Sequence, residues 1–378
     1  MVVGGCGHVG LPLAIALASR GKSVACYDIA AAAVAAVSSG RVPFREPGAE
    51  PALRAALAAG LLTATGDPAV IGSAEHIIVT TDGPVEDSLA GCSPYFADGQ
   101  LLVLRSTVRP GATARLEKLA AELGLDADVA FCPERIAEGH AMTELFELPQ
   151  IVSSRTDRGL ERATRLFRTL TPALVPMSPE EAELAKLFTN AWRYISFAAA
   201  NQLYAIANDR GLDYERIRQG MLLDYPRAAG LPPAGLAAGP CLPKDTAGLV
   251  EASDGFTIGQ AALVANKGMA DYLVARLAQR YDLAGLTVGI LGMAFKAGSD
   301  DIRASLSYRL ARLLAARGAT VLCTDPLVRG DRSLVPLRHV LHRADLLVVA
   351  APHPEYRRLP AGLPVADIWG VTGRGVLV

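Results

Sequence analysis

At 378 residues, 51% hydrophobic and 20% charged, the chain has the length for two or three domains, each with its own core, which excludes a single small domain. A formal net charge of -1 and the absence of a long basic block argue against a nucleic-acid groove or an anionic membrane surface, and leave small molecules as the expected partners. No apolar run approaches the roughly 18 residues of a membrane span, and "MVVGGCGHVG" lacks the basic start and apolar core of a signal peptide, so a cytoplasmic protein is expected.

In chain order, "VVGG", "SVACYD", "HIIVTT", "LLVLRST" and "VAFCPE" read as strands between Ala/Leu-rich helical stretches, a rhythm that predicts a doubly wound parallel sheet. From Ser178, "SPEEAELAKLFTNAWRYISFAAANQLYAIANDRG" reads as one long helix with a capping serine, a first-turn proline, early acidic residues and a terminal glycine. A second helical stretch, "TIGQAALVANKGMADYLVARLAQRYD", completes a helical middle region. The α/β pattern then restarts with "LTVGILG", "ATVLCTDP" and "ADLLVVAAP". The expected fold is therefore α/β, with two Rossmann-like domains, 1–175 and 284–378, joined by a helical region 176–283 with a long central helix.

"GGCGHVG" holds Gly5, Gly7 and Gly10 in G-x-G-x-x-G spacing, enclosing His8 and Val9, with a helix after it and a second strand ending at Asp28. That arrangement suits a dinucleotide pyrophosphate, and Asp28 can accept hydrogen bonds from an adenosine ribose, so NAD is expected over NADP. Only three residues precede the loop, so the first strand is expected to be short. Asp28, Thr81, Thr107 and Glu134 fall at the expected carboxyl ends of strands, the edge where open α/β sheets bind ligands. In "CPERIAEG", Glu134 and Glu138 would share one face if a helix begins there; the alternative is a solvated helix start. Lys186 and Asn190, four apart on the long helix, could grip an oxyanion or a sugar hydroxyl, or else form an exposed polar stripe. "GILGMAFKAGSDDIRAS" has one glycine where a dinucleotide site has three, so a smaller nucleotide is expected there, its phosphate neutralised by Lys296 and Arg303.

Of 37 basic residues only six are lysine, and Lys186, Lys244 and Lys296 all lie in such blocks. The six cysteines and six histidines show no metal-ligand spacing, and neither a metal nor a disulfide framework is expected. Cys6, Cys26, Cys132 and Cys323 read as core and Cys92 as a loop residue. Cys241, in "GPCLPKDT", stands apart: Gly239, Pro240 and Pro243 predict a rigid turn and not a helix, and Lys244 could lower the pKa of a nearby thiol. An NAD site plus an activated thiol suggests oxidation of an aldehyde through a thiohemiacetal and a thioester.

"GCGHVGLPLA", "RSTVRPGAT", "CPERIAEG", "ELAKLFTNAWRY", "YPRAAG", "AAGPCLPKDT", "GMAFKAGSDDIRAS" and "CTDP" together resemble, in order and over nearly the whole chain, the UDP-glucose/GDP-mannose dehydrogenase family. Within it, the blocks are most similar to the UDP-N-acetylmannosamine dehydrogenase branch. The resemblance implies a four-electron oxidation of a sugar C6 alcohol to a carboxylate, with two NAD used in succession. It implies Cys241 as nucleophile, Lys186 as oxyanion stabiliser with Asn190 beside it, and Asp245 and Thr107 as holders of a water. Glu134 would assist thioester hydrolysis, and Glu138 would contact the sugar or the lysine. Phe295, Lys296 and Arg374 would bind the uridine diphosphate, and Arg227 would be donated across a homodimer interface along the long helix. The chain departs from the family where "TTDGPVEDSLAGCSP" replaces a threonine-proline step near the cofactor. Alternatives are UDP-glucose, UDP-N-acetylglucosamine or GDP-mannose as substrate, and a nucleotide-sugar-binding protein without turnover.

Overall fold

A strand that is apolar at every position, such as Leu101–Leu104, needs cover on both faces, which a parallel sheet flanked by helices supplies. The computed structural model describes residues 1–378 except 82, 84–86, 88 and 374–377, and falls into two units, Met1–Phe188 and Thr189–Val378.

The first unit holds eight strands: β1 (Val2–Val3), β2 (Val24–Tyr27), β3 (Leu62–Thr65), β4 (His76–Val79), β5 (Leu101–Leu104), β6 (Asp128–Phe131), β7 (Gln150–Ser154) and β8 (Leu174–Met177). They lie in the order β3-β2-β1-β4-β5-β6-β7-β8, whose first six places follow the strand order of a dinucleotide-binding sheet. The helices are α1 (Gly10–Ser19), α2 (Ala31–Ser38), α3 (Ala49–Ala58), α4 (Ala112–Glu122), α5 (Ala141–Glu147), α6 (Asp157–Phe167) and α7 (Pro179–Asn208), the last ending in the second unit. Alternate residues of the central strands enter two separate cores. Ile78 and Val103 pack with α1 on one face, while Ile77, Val79, Leu102 and Leu104 pack with α4 on the other.

Three strands of this sheet escaped the sequence reading. β3 is threonine-rich and half exposed, β7 ends in two serines, and β8 contains a proline, so none shows an apolar run. The sheet is also not wholly parallel, because β7 runs antiparallel to β6. β1 is as short as expected, yet Val2 and Val3 each pair with both β2 and β4.

The second unit contains α8 (Tyr214–Leu222), α9 (Leu242–Ala252) and α10 (Thr257–Arg280). It then forms a four-stranded parallel sheet, β10-β9-β11-β12, from β9 (Thr287–Leu291), β10 (Thr320–Thr324), β11 (Leu346–Val349) and β12 (Val365–Ala366), with α11 (Leu306–Ala316) and α12 (Leu337–Arg343). Val288, Ile290 and Val348 share a core with Tyr204 of α7 and Leu273 of α10, and Leu291, Leu347 and Val349 form a second core with α12.

Helix α7 opens with the expected capping serine, which the structure shows to be part of a capping box: the Ser178 N–H donates to Glu181 Oε2 at 2.8 Å. Two residues further, Glu183 is turned inward. Its carboxylate accepts from the Gly111 N–H at 2.6 Å, the Thr113 N–H at 2.8 Å and the Thr113 hydroxyl at 2.7 Å. A buried side chain of α7 thereby caps the N-terminus of α4 and holds the loop that carries Thr107. Glu183→Ala should strand these donors and cost about 3 kcal/mol; a loss below about 1 kcal/mol in urea unfolding would show that water replaces the carboxylate.

Candidate active site

The glycine-rich turn divides its labour by sterics. A Cβ on Gly5 would lie 2.7 Å from Cys26 Cα, and one on Gly10 would lie 2.4 Å from the Gly4 carbonyl and 2.6 Å from Thr80 Oγ1. Both are required for strand and helix packing. On Gly7 a Cβ meets only the Gly4 oxygen, at 3.4 Å, so this face of the turn stays open for close approach of a phosphate ahead of α1. Asp28 is tied in through both oxygens: Oδ2 accepts from the Cys6 N–H at 3.1 Å and Oδ1 from the Ala30 N–H at 3.0 Å. The residues present therefore fit a dinucleotide. Val9 occupies the N-cap position of α1, and His8 stacks on Phe44 with ring centroids 4.1 Å apart. Thr81 is half-buried beside Gly4, and its Oγ1 has no hydrogen-bond partner among the described residues. In the rest of the atypical loop, 82, 84–86 and 88 lie outside the described residues.

Glu134 and Glu138 do not share a helix face. Residues 133–137 form no regular secondary structure, a turn follows at Glu138, and α5 begins only at Ala141. The two carboxylates have different surroundings. Glu134 is 6% exposed; its Oε1 accepts from the N–H groups of Arg135 at 2.6 Å and Ile136 at 2.9 Å, and its Oε2 lies 2.5 Å from an Arg105 guanidinium nitrogen. That last contact is a charge contact outside aligned hydrogen-bond geometry. Glu138 stays half-buried, with Oε2 3.9 Å from His8 Nδ1. Thr107 is half-buried in the loop pinned by Glu183, and Lys186 stands one helical turn beyond Glu183 on α7.

Arg105 was missed in the sequence. The signal was an arginine closing the wholly apolar run "LLVL", a place where a charge persists only with a partner.

In the second unit, the Asn190 amide donates to Asp245 Oδ2 at 2.5 Å, with both side chains buried. Asp245 lies in the first turn of α9, and Cys241 is the N-cap of that helix. The expectation of a non-helical thiol segment is thus corrected: Pro243 falls in the first turn, where a missing N–H and a fixed φ favour helix initiation. The exposed Cys241 consequently sits at the positive end of a helix macrodipole, which favours an anion there. Gly239 is obligatory, with φ at +102° and a virtual Cβ 2.6 Å from the Phe295 ring. No disulfide joins the six cysteines. Burial raises the thiols of Cys6 and Cys132 to about 12 and of Cys323 to about 11, and pushes Cys26 and Cys92 upward too. None of these five is suited to act as a nucleophile.

The Gly292–Arg303 loop encloses the other expected binding residues. Asp325, at the end of β10 as Asp28 is at the end of β2, accepts from the Met293 and Ala294 N–H groups at 2.7 and 2.9 Å and from Leu327 and Val328 at 2.8 and 3.1 Å. A carboxylate here occupies the amides that a dinucleotide turn would offer, consistent with a smaller ligand. Lys296 lies over the Phe295 ring at 5.6 Å, and Arg303 forks onto the buried Asp301 at 2.7 Å. Arg227 is exposed, 5.1 Å from the Tyr225 ring centre. Arg374 lies outside the described residues. Among the described residues no cluster of His, Cys, Asp and Glu could hold a metal ion.

Comparison with known proteins accounts for nearly the whole chain. Residues 1–171 match the NAD binding domain, 180–267 the central domain and 289–372 the UDP binding domain of the UDP-glucose/GDP-mannose dehydrogenase family. The chain is 28% identical to a UDP-N-acetyl-D-mannosamine dehydrogenase of Pyrococcus horikoshii, over 93% of this chain and 89% of that one. It is 30% identical to a UDP-glucose 6-dehydrogenase of Haloferax volcanii, over 94% and 91%. A solved structure of a UDP-glucose dehydrogenase from Pyrobaculum islandicum superimposes with a TM-score of 0.88 at 29% identity, covering 96% of this chain and 92% of that one.

Asp325 yields a pH-dependent expectation. Burial acts to raise its carboxyl, but His353 Nε2 at 3.2 Å and the Ala294 and Leu327 N–H groups hold it well below the usual carboxylate range. A group depressed in the folded state contributes stability that is present above its unfolded value of 3.8 and lost as pH falls further. Asp325→Asn replaces one carboxylate oxygen by an amide donor, which then faces two of the four N–H groups. It should lose roughly 2 to 4 kcal/mol at pH 7 and flatten the acid slope below about pH 4; equal unfolding midpoints at pH 7 would refute the role.

Proposed function

The chain belongs to the UDP-glucose/GDP-mannose dehydrogenase family, and from that premise we propose that it oxidises the C6 alcohol of UDP-N-acetylmannosamine to the uronate. It is an NAD-dependent oxidoreductase acting on a nucleotide sugar. The observation that carries the reading is the exposed Cys241 at the N-terminus of α9, one turn from an Asp245 carboxylate held by Asn190.

Gly5, Gly7, His8, Val9, Gly10, Asp28, Thr81 and Thr107 would hold NAD, which would supply the hydride acceptor for each of two successive oxidations. Lys186 stabilises the oxyanion at C6, with Asn190 supporting it. Asp245 and Thr107 hold a water that relays the proton. Cys241 adds to the aldehyde carbon to form a thiohemiacetal, whose oxidation leaves a thioester. Glu134 draws the proton from the hydrolytic water, and Glu138 contacts the sugar. Phe295, Lys296, Arg303 and Arg374 bind the uridine diphosphate. The working division is 1–175 for cofactor, 176–283 for the thiol and assembly, and 284–378 for the UDP-sugar.

No helix among the described residues is long and apolar enough to cross a membrane, and we place the enzyme in the cytoplasm, supplying a uronic acid for a surface glycan or a specialised metabolite. A homodimer is proposed, with Arg227 donated to the partner's site. Trp192 of α7 is 70% exposed and Val264 of α10 75%, with Leu203, Ile206 and Ile258 also exposed, large apolar side chains of the kind that a dimer would cover. Sedimentation at micromolar protein should give a dimer, and Trp192→Asp should give monomers; a monomeric wild type would remove the assembly from the proposal.

The decisive assay offers NAD with UDP-N-acetylmannosamine, UDP-N-acetylglucosamine, UDP-glucose and GDP-mannose, and scores NADH together with product mass. Two NADH per sugar and a gain of one oxygen with loss of two hydrogens are expected for the first donor. Cys241→Ser should retain UDP-sugar binding and form acid at less than about a hundredth of the wild-type rate. Preference for another donor would change the sugar alone. Nucleotide-sugar binding without NADH from any donor would favour the binding-protein reading.

A further inference from the structure

Among the described residues Arg105 is the largest fully buried side chain, 1% exposed at the carboxyl end of β5; both terminal nitrogens of its guanidinium are engaged, while its Nε–H has no hydrogen-bond partner among those residues. Nη1 donates to the Cys132 carbonyl at 3.2 Å and to Gln150 Oε1 at 2.9 Å. Gln150 is itself tied to the Pro133 carbonyl at 3.2 Å and to the Ile151 carbonyl at 2.6 Å. The guanidinium carbon lies 5.0 Å from the centre of the Phe167 ring, and Nη2 lies 2.5 Å from Glu134 Oε2. So the cation is fastened directly to the Cys132 carbonyl and, through Gln150, to the Pro133 carbonyl, the two carbonyls that lead into Glu134.

The consequence lies in how Glu134 is oriented. Its Oε2 is shut in against Arg105, with no exposed surface, while Oε1 is directed to the N–H groups of Arg135 and Ile136. One carboxylate oxygen is held inward by a fixed cation and the other is thereby set along the Arg135–Ile136 backbone. A carboxylate without that inner partner has no reason to keep this orientation, because an unpaired buried oxygen is driven to rotate towards water or to take up a proton.

We propose that Arg105 is a positioning residue for the hydrolytic step, acting through Glu134. This rests on the assignment of Glu134 as the base of that step. In it, a water oxygen bonds to the thioester carbon, the carbon–sulfur bond breaks, Cys241 leaves as thiolate, and the water proton passes to Glu134. Arg105 touches none of the reacting atoms. It fixes which oxygen of Glu134 is available, so its loss slows release of the acid and spares the two oxidations that precede it. Lysine can keep the charge near Oε2 but cannot reproduce the fork that reaches Cys132 and Gln150 together.

The test is a double-substitution cycle on the full-length protein: Arg105→Lys, Arg105→Met, Glu134→Gln and Arg105→Met with Glu134→Gln. It is read by rapid-quench NADH formation and by the mass of the acylated protein. Arg105→Met should keep a burst of two NADH per site within about threefold of the wild-type rate. Steady-state turnover should fall by about 100-fold, the low end of general-base effects, while the Cys241 thioester accumulates. Arg105→Lys should recover part of the turnover. In the Glu134→Gln background Arg105→Met should add less than about threefold, since both act through one group. The double variant also replaces the charge pair by neutral groups, which guards against a misfolded single variant. Slowing of all steps alike in Arg105→Met, or its full effect persisting in the Glu134→Gln background, would overturn the proposal while leaving Glu134 as the base. Unchanged turnover in Glu134→Gln would instead overturn the assignment of Glu134, and this inference with it.

Discussion

The chemistry of this protein depends on buried polar side chains of one long helix holding the backbone and side chains of other elements. Glu183 of α7 caps the start of α4 with three hydrogen bonds, and Asn190 of the same helix donates to Asp245 in the first turn of α9. Asn201 extends the pattern: its amide donates to Asn266 of α10 at 2.9 Å, and its oxygen accepts from the Gly235 N–H, also at 2.9 Å. Buried amides and carboxylates are tolerated only when fully partnered, so each tie specifies one arrangement of the loop it holds. The loops with Thr107 and with Cys241 need such ties, because neither belongs to a sheet ladder.

Both α/β sheets carry an aspartate directly after their second strand in chain order, and its hydrogen-bond partners differ between them. In the first, Asp28 takes the Cys6 N–H and leaves the open face of Gly7 available. In the second, Asp325 accepts from four backbone N–H groups and closes the equivalent turn. Nearby, Ala304 adopts a φ of 52°, a left-handed conformation costly for a residue with a Cβ, immediately after Arg303. The turn that would receive a pyrophosphate in one sheet is a self-capped structure in the other, which suits a ligand gripped by side chains such as Phe295 and Lys296.

Thiol chemistry is separated from thiol packing by burial. Five cysteines have thiols raised by desolvation within or beside the sheets, whereas Cys241 is exposed at a helix N-terminus behind a left-handed Gly239. Gly239 is held to glycine twice over, by its φ and by the Phe295 ring against it, so the thiol segment and the Gly292–Arg303 loop are shaped by one contact.

The amino-acid order alone determined whatever depends on local periodicity and on backbone-limited motifs. The strands with apolar runs, the capping role of Ser178, the glycine turn with Asp28 and the distinct status of Cys241 were all legible, because each is set by residues within a few positions of one another. Strands β3, β7 and β8 were not, since threonine, serine and proline conceal the pattern and only pairing with a neighbour makes them strands. The segment after Cys241 looked non-helical because two prolines flank it, yet Pro243 at the first turn begins a helix. The separation of Glu134 from Glu138 and the ion pair with Arg105 required the tertiary structure. They join β5 to the segment after β6, and a buried charge chooses its partner by proximity in space, which spacing along the chain does not encode.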